Sequence, residues 1–345
     1  MKKTIAFLYN LRHQYPDPAD PRTQLEVDFD DPPAIKMMIK HLKNCGFNVL
    51  PIEANERAYF KLFKNRKKIT LAFNYSEGIY GHDREAHLPA ILELLQIPYT
   101  GSSPLTQAIG LNKIKTKDIL KTHCIPVLPH QVFKKDFDGN KVSLDKNLRF
   151  PLIVKPIAQG SSAGITNSSI VTNLATLKKQ VKFVIKTFKE PAFVEPFLEG
   201  REFSVPMLGN PPKILPIIES DHAKLPKKYL PIDSLEVKWF FEEEATVNNL
   251  ICPAKIDKAL EQKIKKICLN VWEALDILDL CRVDLRCDKN NNLYVLEVNS
   301  PPGLIPPEIS RSSYFPLAAR MAGINYQNLL KTIINSASKR YGLPN

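Results

Sequence analysis

The sequence has 345 residues, 44% hydrophobic and 24% charged, which is ordinary for a globular chain long enough for two or three domains. No apolar run approaches the roughly 20 residues of a membrane-spanning helix, so we expect no such span. Six cysteines occur without a CxxC pair, which argues against a disulfide framework or a zinc site and predicts reduced thiols in a cytoplasmic protein.

The net charge of +12 is the unusual feature of the composition. Basic runs at Lys64–Lys68 and Lys178–Lys189 would suit a nucleic acid. Neither run is accompanied by an aromatic-rich RNA-binding signature, and lysines at helical spacing more often form a solvated face. Because a basic cleft also suits ATP and carboxylate substrates, we expect no nucleic-acid partner. The lack of a membrane-spanning run leads us to expect no membrane partner either.

Strand and helix patterns alternate over residues 1–110. The strand runs are TIAFLY, FNVLPI and ITLAFN, and the helical runs are PAIKMMIKHLKNCG and REAHLPAILELLQ. Such alternation predicts an open, largely parallel α/β sheet, in which ligands bind at the carboxyl ends of strands. The segment NYSEGIYGHDRE, residues 74–85, would then lie on the functional edge.

The pattern changes to a smaller α+β unit over residues 111–205. There the strand PLIVKP leads into the small-residue loop QGSSAG, and a basic helix precedes the strand AFVEPFL. Residues 206–345 return to strands, then carry a long helix near Ile256–Leu278, a hairpin, and a closing helix near Tyr326–Ala337. We therefore predict three domains with boundaries near residues 110 and 205.

The predicted hairpin brings four polar side chains together. An Asn290-Asn291 turn would place Asp284 opposite Glu297 and Arg282 opposite Asn299 on one face, because strand side chains alternate. Two carboxylates facing each other destabilise a sheet unless a positive charge lies between them. Mg²⁺ held by carboxylates and substrate phosphates would supply it. The alternative is a surface hairpin whose arginines neutralise the acids.

Two further segments carry weaker signals. Lys155 ends a strand beside the QGSSAG loop, whose backbone N–H groups could wrap phosphates, although no Walker A pattern is present. The segment FVEPFLEGREFSV supplies Glu195 and Glu202, and a carboxylate there could accept hydrogen bonds from a ribose. Taken alone, each feature could equally be a turn or a surface acid.

In this order the pieces resemble the ATP-grasp superfamily and, within it, the D-alanine–D-alanine ligase family. The resemblance runs over nearly the whole chain, from IPYTGS and LNKIKTK through PLIVKP and RVDLR to LEVNSPPG and PLAARMAG. It implies an ATP-grasp fold, which clamps ATP between two sheets, preceded by an open parallel α/β domain. It also implies phosphorylation of a carboxylate to an acyl phosphate, which an amine then attacks.

The resemblance also implies roles for individual residues. The implied ATP contacts are Lys113 and Lys155 to the phosphates, Glu195, Phe197 and Leu198 around adenine, Glu202 to the ribose, and Ser161 and Lys238 near the γ-phosphate. The implied ligands of Mg²⁺, with Mn²⁺ as a substitute, are Asp284, Glu297 and Asn299. The implied catalytic residues are Arg282 for the transition state, Ser162 in the closing loop, and Glu26 for the first substrate's ammonium group.

The sequence departs from the family pattern where the amino acids would bind. The first strand is followed by YNL instead of two glycines, and Trp239 stands where a tyrosine is usual. The loop LIPPEISRSSYF is longer than usual, so Ser310, Arg311, Ser312 and Ser313 compete to bind the second substrate's carboxylate.

Three functions remain open from the sequence. The favoured one is a cytoplasmic D-alanine–D-alanine ligase of peptidoglycan synthesis that acts on small-molecule amino acids, and the family suggests a homodimer. The second is an ATP-grasp ligase for another amino acid or small carboxylate. The third is a non-catalytic ATP- or nucleic-acid-binding protein, which the joint presence of the phosphate-binding and metal-binding residues disfavours.

Overall fold

The computed structural model describes residues 2–17, 20–137, 139, 142–243 and 249–344. Within these ranges the strands form three separate sheets, one for each third of the chain. No helix in the described ranges is long and apolar enough to cross a membrane.

The first sheet is parallel, as predicted, with strand order β2-β1-β3. Its elements are β1 (Thr4–Tyr9), α1 (Pro32–Asn44), β2 (Asn48–Glu53), α2 (Ala58–Asn65), β3 (Leu71–Asn74) and α3 (His87–Leu94). One face packs apolar side chains against α2 and α3, while the other face packs against α1 and the C-terminal helices. Because both faces are covered, the strands read as continuous apolar runs.

The second sheet is antiparallel and has the strand order β4-β7-β5-β6. The elements of this part are α4 (Pro104–Leu111), α5 (Lys113–Thr122), β4 (Gln131–Phe133), β5 (Leu152–Pro156), β6 (Ile170–Val171), α6 (Leu174–Phe188) and β7 (Ala192–Pro196). Helix α6 buries one apolar stripe against the sheet and leaves its lysines on the other side.

The third sheet has the order β11-β10-β8-β12-β13, with β9 beside β8. Its elements are β8 (Glu202–Leu208), β9 (Lys213–Ile214), β10 (Ile218–Ser220), β11 (Leu250–Ile251), α7 (Lys258–Ala274), β12 (Leu280–Cys287), β13 (Leu293–Asn299), α8 (Tyr314–Met321) and α9 (Tyr326–Arg340). Strand β8 begins before the boundary predicted near residue 205. The domain limits themselves remain a prediction.

The pairing of β12 with β13 confirms the predicted face. Asp284 lies opposite Glu297, and Arg282 lies opposite Asn299. The same strand β12 pairs on its other side with β8, so this face continues toward Ser204 and Glu202.

The predicted turn of this hairpin is wrong. Cys287 pairs with Leu293, and the five residues 288–292, with a left-handed Asn291, join the strands, which moves the register near the turn by one residue. A β-bulge then leaves Leu296 unpaired and restores the predicted register further along. The correct pairing at Glu297 therefore results from two deviations that offset each other.

Candidate functional site

Two adjoining cavities open between the three sheets. The larger has a volume of about 510 Å³ and is lined by the N-terminal domain, the 159–161 loop and the C-terminal sheet. The smaller, of about 80 Å³, lies between β5 of the second sheet and the β12–β13 hairpin of the third. Lys113, Gln159, Lys238 and Glu297 line both cavities, so three of the predicted site residues lie at their junction.

Glu297 lies at the centre of a group of cations. Lys113 Nζ is 3.5 Å from Glu297 Oε2, and Arg282 Nη2 is 4.0 Å from Oε1. Burial alone would raise the pKa of Glu297, but the charges of Lys113, Lys238, Arg282 and Lys155 outweigh it and hold the pKa below its ordinary value. Asp284 and Glu195 offset part of this charge by pairing with Arg282 and Lys155, and a polyanionic ligand can bind against the cations that remain.

Asp284 is engaged by protein donors. Arg282 donates to it from Nε at 2.9 Å and from Nη2 at 2.8 Å, Ser204 Oγ at 2.6 Å and Asn299 Nδ2 at 3.1 Å. These four donors fill the roughly four acceptor positions of a carboxylate. Within the predicted metal-binding trio, Glu297 is therefore the carboxylate with capacity for a cation, and Asp284 would need Arg282 to release it first.

Lys155 is held by Glu195 in a buried ion-pair network. Lys155 Nζ and Lys117 Nζ each lie 2.9 Å from a different oxygen of Glu195. Burial would raise the pKa of Glu195, but the two ammonium groups lower it to about 2. Glu195 lies outside both cavity linings, so the structure places this predicted adenine contact behind Lys155, as the residue that positions it.

Lys117 was missed by the sequence analysis, although a signal was present. It follows Lys113 by four residues on α5, a spacing that puts both side chains on the same face of a helix.

The side chains of Phe197 and Leu198 also lie outside both cavity linings. Phe197 packs beneath the Arg286 guanidinium, 5.2 Å from its ring centroid, and Leu198 is buried. Contact with a ligand through their backbone stays a prediction. The apolar wall of the smaller cavity instead includes Ile153 and Leu296.

The bulge explains why Leu296 is in that wall. In a regular strand, neighbouring side chains point to opposite faces. Here the consecutive residues Leu296 and Glu297 both line the smaller cavity, whereas Val295 and Val298 are buried in the core behind the sheet.

Glu202 lines the smaller cavity, as predicted for a ribose contact, but it is already paired. Arg286 Nη1 lies 2.8 Å and His222 Nε2 3.8 Å from Glu202 Oε2, and His222 lies 2.8 Å from Asp233 Oδ1. Glu202, His222 and Asp233 are close enough to share a metal ion. Because Arg286 occupies the same carboxylate, we interpret them as an ion-pair network.

The 159–164 loop is closed against both neighbouring parts of the chain. Gly160 N donates to Asp28 Oδ2 at 3.3 Å, and Ser162 Oγ donates to the Asp233 carbonyl at 2.7 Å. Ser161 faces the larger cavity and Ser162 the smaller one. A side-chain Cβ at position 160 would lie 2.4 Å from Asp28 Oδ1, so a larger residue there would have to displace the Asp28 carboxylate from this contact.

Glu26 is not where the sequence analysis expected it. Its carboxylate accepts hydrogen bonds from the backbone N–H groups of His13 and Gln14 and lies outside the cavity lining. Asp28 lines the larger cavity instead and pairs with Arg84 Nη2 at 3.1 Å. Glu26 is therefore not placed to meet an ammonium group in this cavity, and Asp28 is one of several acids that line it.

The loop that carries Ser310, Ser312 and Ser313 lines the larger cavity and already binds a carboxylate of the protein. Ser310 Oγ donates to Glu243 Oε1 at 2.8 Å, and Ser312 Oγ donates to the same oxygen. Ser313 also lines the cavity, whereas Arg311 is exposed and lies outside its lining. Of the four candidates for carboxylate recognition, the three serines thus face the cavity.

The comparisons with known proteins agree with this geometry. Residues 119–335 match the sequence model of a family described as D-ala D-ala ligase C-terminus. An uncharacterised protein of Sinorhizobium fredii is 31% identical over 95% of this chain and 92% of its own length. A D-alanine–D-alanine ligase of Buchnera aphidicola is 33% identical over 87% of this chain and 91% of its own.

Solved structures give the same result. The D-alanine–D-alanine ligase of Bacillus anthracis complexed with ATP superposes with a TM-score of 0.73 at 25% identity, covering 99% of each chain.

Proposed function

The chain belongs to the D-alanine–D-alanine ligase family, and we propose that it joins two amino acids at the expense of ATP. The preferred substrates are two molecules of D-alanine, as the names of its relatives suggest. The product would serve peptidoglycan synthesis in the cytoplasm. A homodimer is a further proposal, which rests on the family alone.

The observation that carries this proposal is the group of cations around Glu297. Lys113, Lys155, Lys238 and Arg282 converge where the two cavities meet, between the two sheets of the ATP-grasp fold. Phosphoryl transfer depends mainly on positioning the phosphates and neutralising their charge. These four side chains supply the positive charge that phosphates need, and the 159–164 loop lies over this group of cations.

A magnesium ion completes the proposal. Glu297 and, beside it, Asn299 would hold Mg²⁺ together with the ATP phosphates, and Mn²⁺ would substitute for it. The ion would neutralise phosphate charge when bound. Asp284 supports the site mainly by orienting Arg282, to which it is hydrogen-bonded by two guanidinium nitrogens.

The larger cavity would hold the two amino acids. Arg282 and Lys238 line it on the phosphate side, and Asp28 lines it from the N-terminal domain. A carboxylate phosphorylated at the junction becomes an acyl phosphate. The attacking amine then generates an oxyanion, which the fixed Arg282 guanidinium can stabilise.

The decisive experiment combines ATP with a panel of D- and L-amino acids and measures ADP release and dipeptide formation. We expect D-alanine to give both products in equal amounts and L-alanine to give neither. Equal products with another amino acid, but not D-alanine, would support the second candidate function. Absence of ADP release with every substrate would contradict a ligase.

Glu243 is expected to raise the KM for the second amino acid. Its carboxylate takes the hydroxyl donors of Ser310 and Ser312, so a substrate carboxylate has to displace it. A hydrogen bond to a charged group contributes about 1.5–3 kcal/mol, so Glu243→Ala should lower this KM on the order of ten-fold. Steady-state kinetics with varied D-alanine would measure it.

The control is Glu308→Ala, which removes a carboxylate from the loop that carries Ser310 and Ser312. Glu308 is bonded to His41 Nε2 at 3.0 Å and does not line the cavity. A higher KM in Glu243→Ala would mean that Glu243 assists acceptor binding.

A further inference from the structure

Helix α2 presents an exposed apolar surface on the outer side of the N-terminal domain. Phe60 is 70% exposed, Phe63 45% and Tyr59 37%. The opposite side of the helix is anchored, because Ala58 and Leu62 are buried among the residues of β1, β3 and α3. The three aromatic side chains are therefore held in solvent by a rigid helix.

The same segment carries a dense positive charge. Between residues 53 and 68 there are six cationic side chains and two carboxylates, Glu53 and Glu56. All six cations are exposed, and they are Arg57, Lys61, Lys64, Arg66, Lys67 and Lys68. We call these six cations and the three aromatic residues the α2 patch.

We propose that the α2 patch binds the surface of an anionic lipid bilayer. Short helices with aromatic and basic side chains lie in the plane of a membrane interface, where rings enter the headgroup region and lysines meet anionic lipids. Each Lys or Arg near such a surface strengthens binding, and the α2 patch has six. Such binding is peripheral and requires no membrane-spanning helix, and it replaces the expectation from the sequence that the protein has no membrane partner.

Charge argues against a second copy of this chain as the occupant. A two-fold interface brings the same surface of both subunits together. The six cations of one α2 patch would then face the six of the other, whereas residues 53–68 contribute two carboxylates, Glu53 and Glu56. The complementary partner is anionic.

Ring geometry argues against a single-stranded nucleic acid, which binds by stacking its bases on free aromatic faces. The Tyr59 and Phe63 rings stack on each other, with centroids 6.0 Å apart and an angle of 18° between their planes. The Arg66 guanidinium covers Phe63 at 4.1 Å from its centroid. Phe60 meets Tyr59 edge-on at 5.6 Å, so it is the one ring of the α2 patch left for base stacking, whereas insertion into lipid requires only apolar surface.

The position of the α2 patch leaves the proposed active site open. Helix α2 packs on one face of the first sheet, and α1 and the C-terminal helices pack on the other. None of the nine patch residues lines either cavity. Binding to a bilayer would therefore not block the cavities.

The test is sedimentation of the full chain with vesicles of phosphatidylcholine alone or with about 30% phosphatidylglycerol, at about 0.1 M salt. We expect binding only to the anionic vesicles. The double variants Phe60→Ala/Phe63→Ala and Lys64→Glu/Lys67→Glu should each weaken it at least about ten-fold. Both should keep the ATP-dependent activity, which also shows that they fold.

The matched control is Lys179→Glu/Lys186→Glu on α6, which reverses two exposed charges on a basic helix without exposed aromatic side chains. It should bind vesicles nearly as well as the wild type. If the control and Lys64→Glu/Lys67→Glu lose vesicle binding equally, the binding depends on the overall net charge of +12 and not on the α2 patch. That result would overturn the proposal.

Three other results would also overturn the proposal. These are no binding to anionic vesicles, a dimer that Phe60→Ala/Phe63→Ala dissociates, and preferential binding of single-stranded RNA through the same residues.

Discussion

Replacing Glu297 with glutamine should lower kcat by about 10²–10³, because metal-assisted charge stabilisation contributes several kcal/mol to such reactions. Glutamine keeps the shape of the side chain but removes the negative charge that holds a divalent cation. Lys113 and Arg282, which lie 3.5 and 4.0 Å from the carboxylate, would then face a neutral group. The loss should be greatest at limiting Mg²⁺ and partly recovered at high Mg²⁺.

The measurement is ADP release across a Mg²⁺ titration, with ATP binding followed separately. Glu308→Gln is the charge-matched control, because Glu308 pairs with His41 outside the cavity. A wild-type response of Glu297→Gln to Mg²⁺ would remove Glu297 from the metal site. If the variant loses ATP binding but responds normally to Mg²⁺, the role of Glu297 is to position the four cations around it.

Arg282→Ala should keep ATP binding but lose turnover. Removing one preorganised donor to a developing oxyanion costs about 10²–10³ in rate. The same change removes two donor nitrogens, which make three hydrogen bonds, from the buried Asp284 carboxylate. Breaking a buried pair from one side costs about 3–5 kcal/mol, so the free energy of unfolding should fall as well.

These two effects can be separated with Arg201→Ala. Arg201 also donates hydrogen bonds to a carboxylate from two nitrogens, Nε to Glu219 Oε1 at 2.6 Å and Nη2 to Glu219 Oε2 at 2.7 Å. It lies outside both cavities. Urea denaturation and single-turnover kinetics should show that Arg201→Ala loses stability without losing the chemical step. If Arg282→Ala loses ATP affinity but retains its rate at saturation, Arg282 binds the phosphates in the ground state.

The sequence was sufficient for the fold and for the central face of the site. The alternation of strand and helix predicted the parallel N-terminal sheet, and the ordered motifs identified the family. The pairing of Asp284 with Glu297 followed from strand periodicity, because two-residue alternation is strict over short distances. The roles of the site residues stay predictions.

The sequence could not place Glu26 and Ser310, which lie outside strands, where side chains do not alternate with a period of two. Residues Pro21–Glu26 form a 3₁₀ helix, so alternation could not tell which of the nearby acids, Glu26 or Asp28, turns toward the cavity. The bond from Ser310 to Glu243 joins segments 67 residues apart, and no local pattern predicts it. Glu195 was predicted to contact adenine because the sequence does not show that Lys117 is its buried partner.

Because Leu296 is unpaired at the bulge, the β12–β13 hairpin can tolerate its deletion. Deleting the codon for Leu296 alone would leave Val295 opposite Leu285 and Glu297 opposite Asp284, now in an unbroken ladder. The charged face would keep its pairing, and only an apolar side chain of the smaller cavity would be lost. A single deletion can thus reshape the apolar wall of the smaller cavity without changing the pairing of the acid beside it.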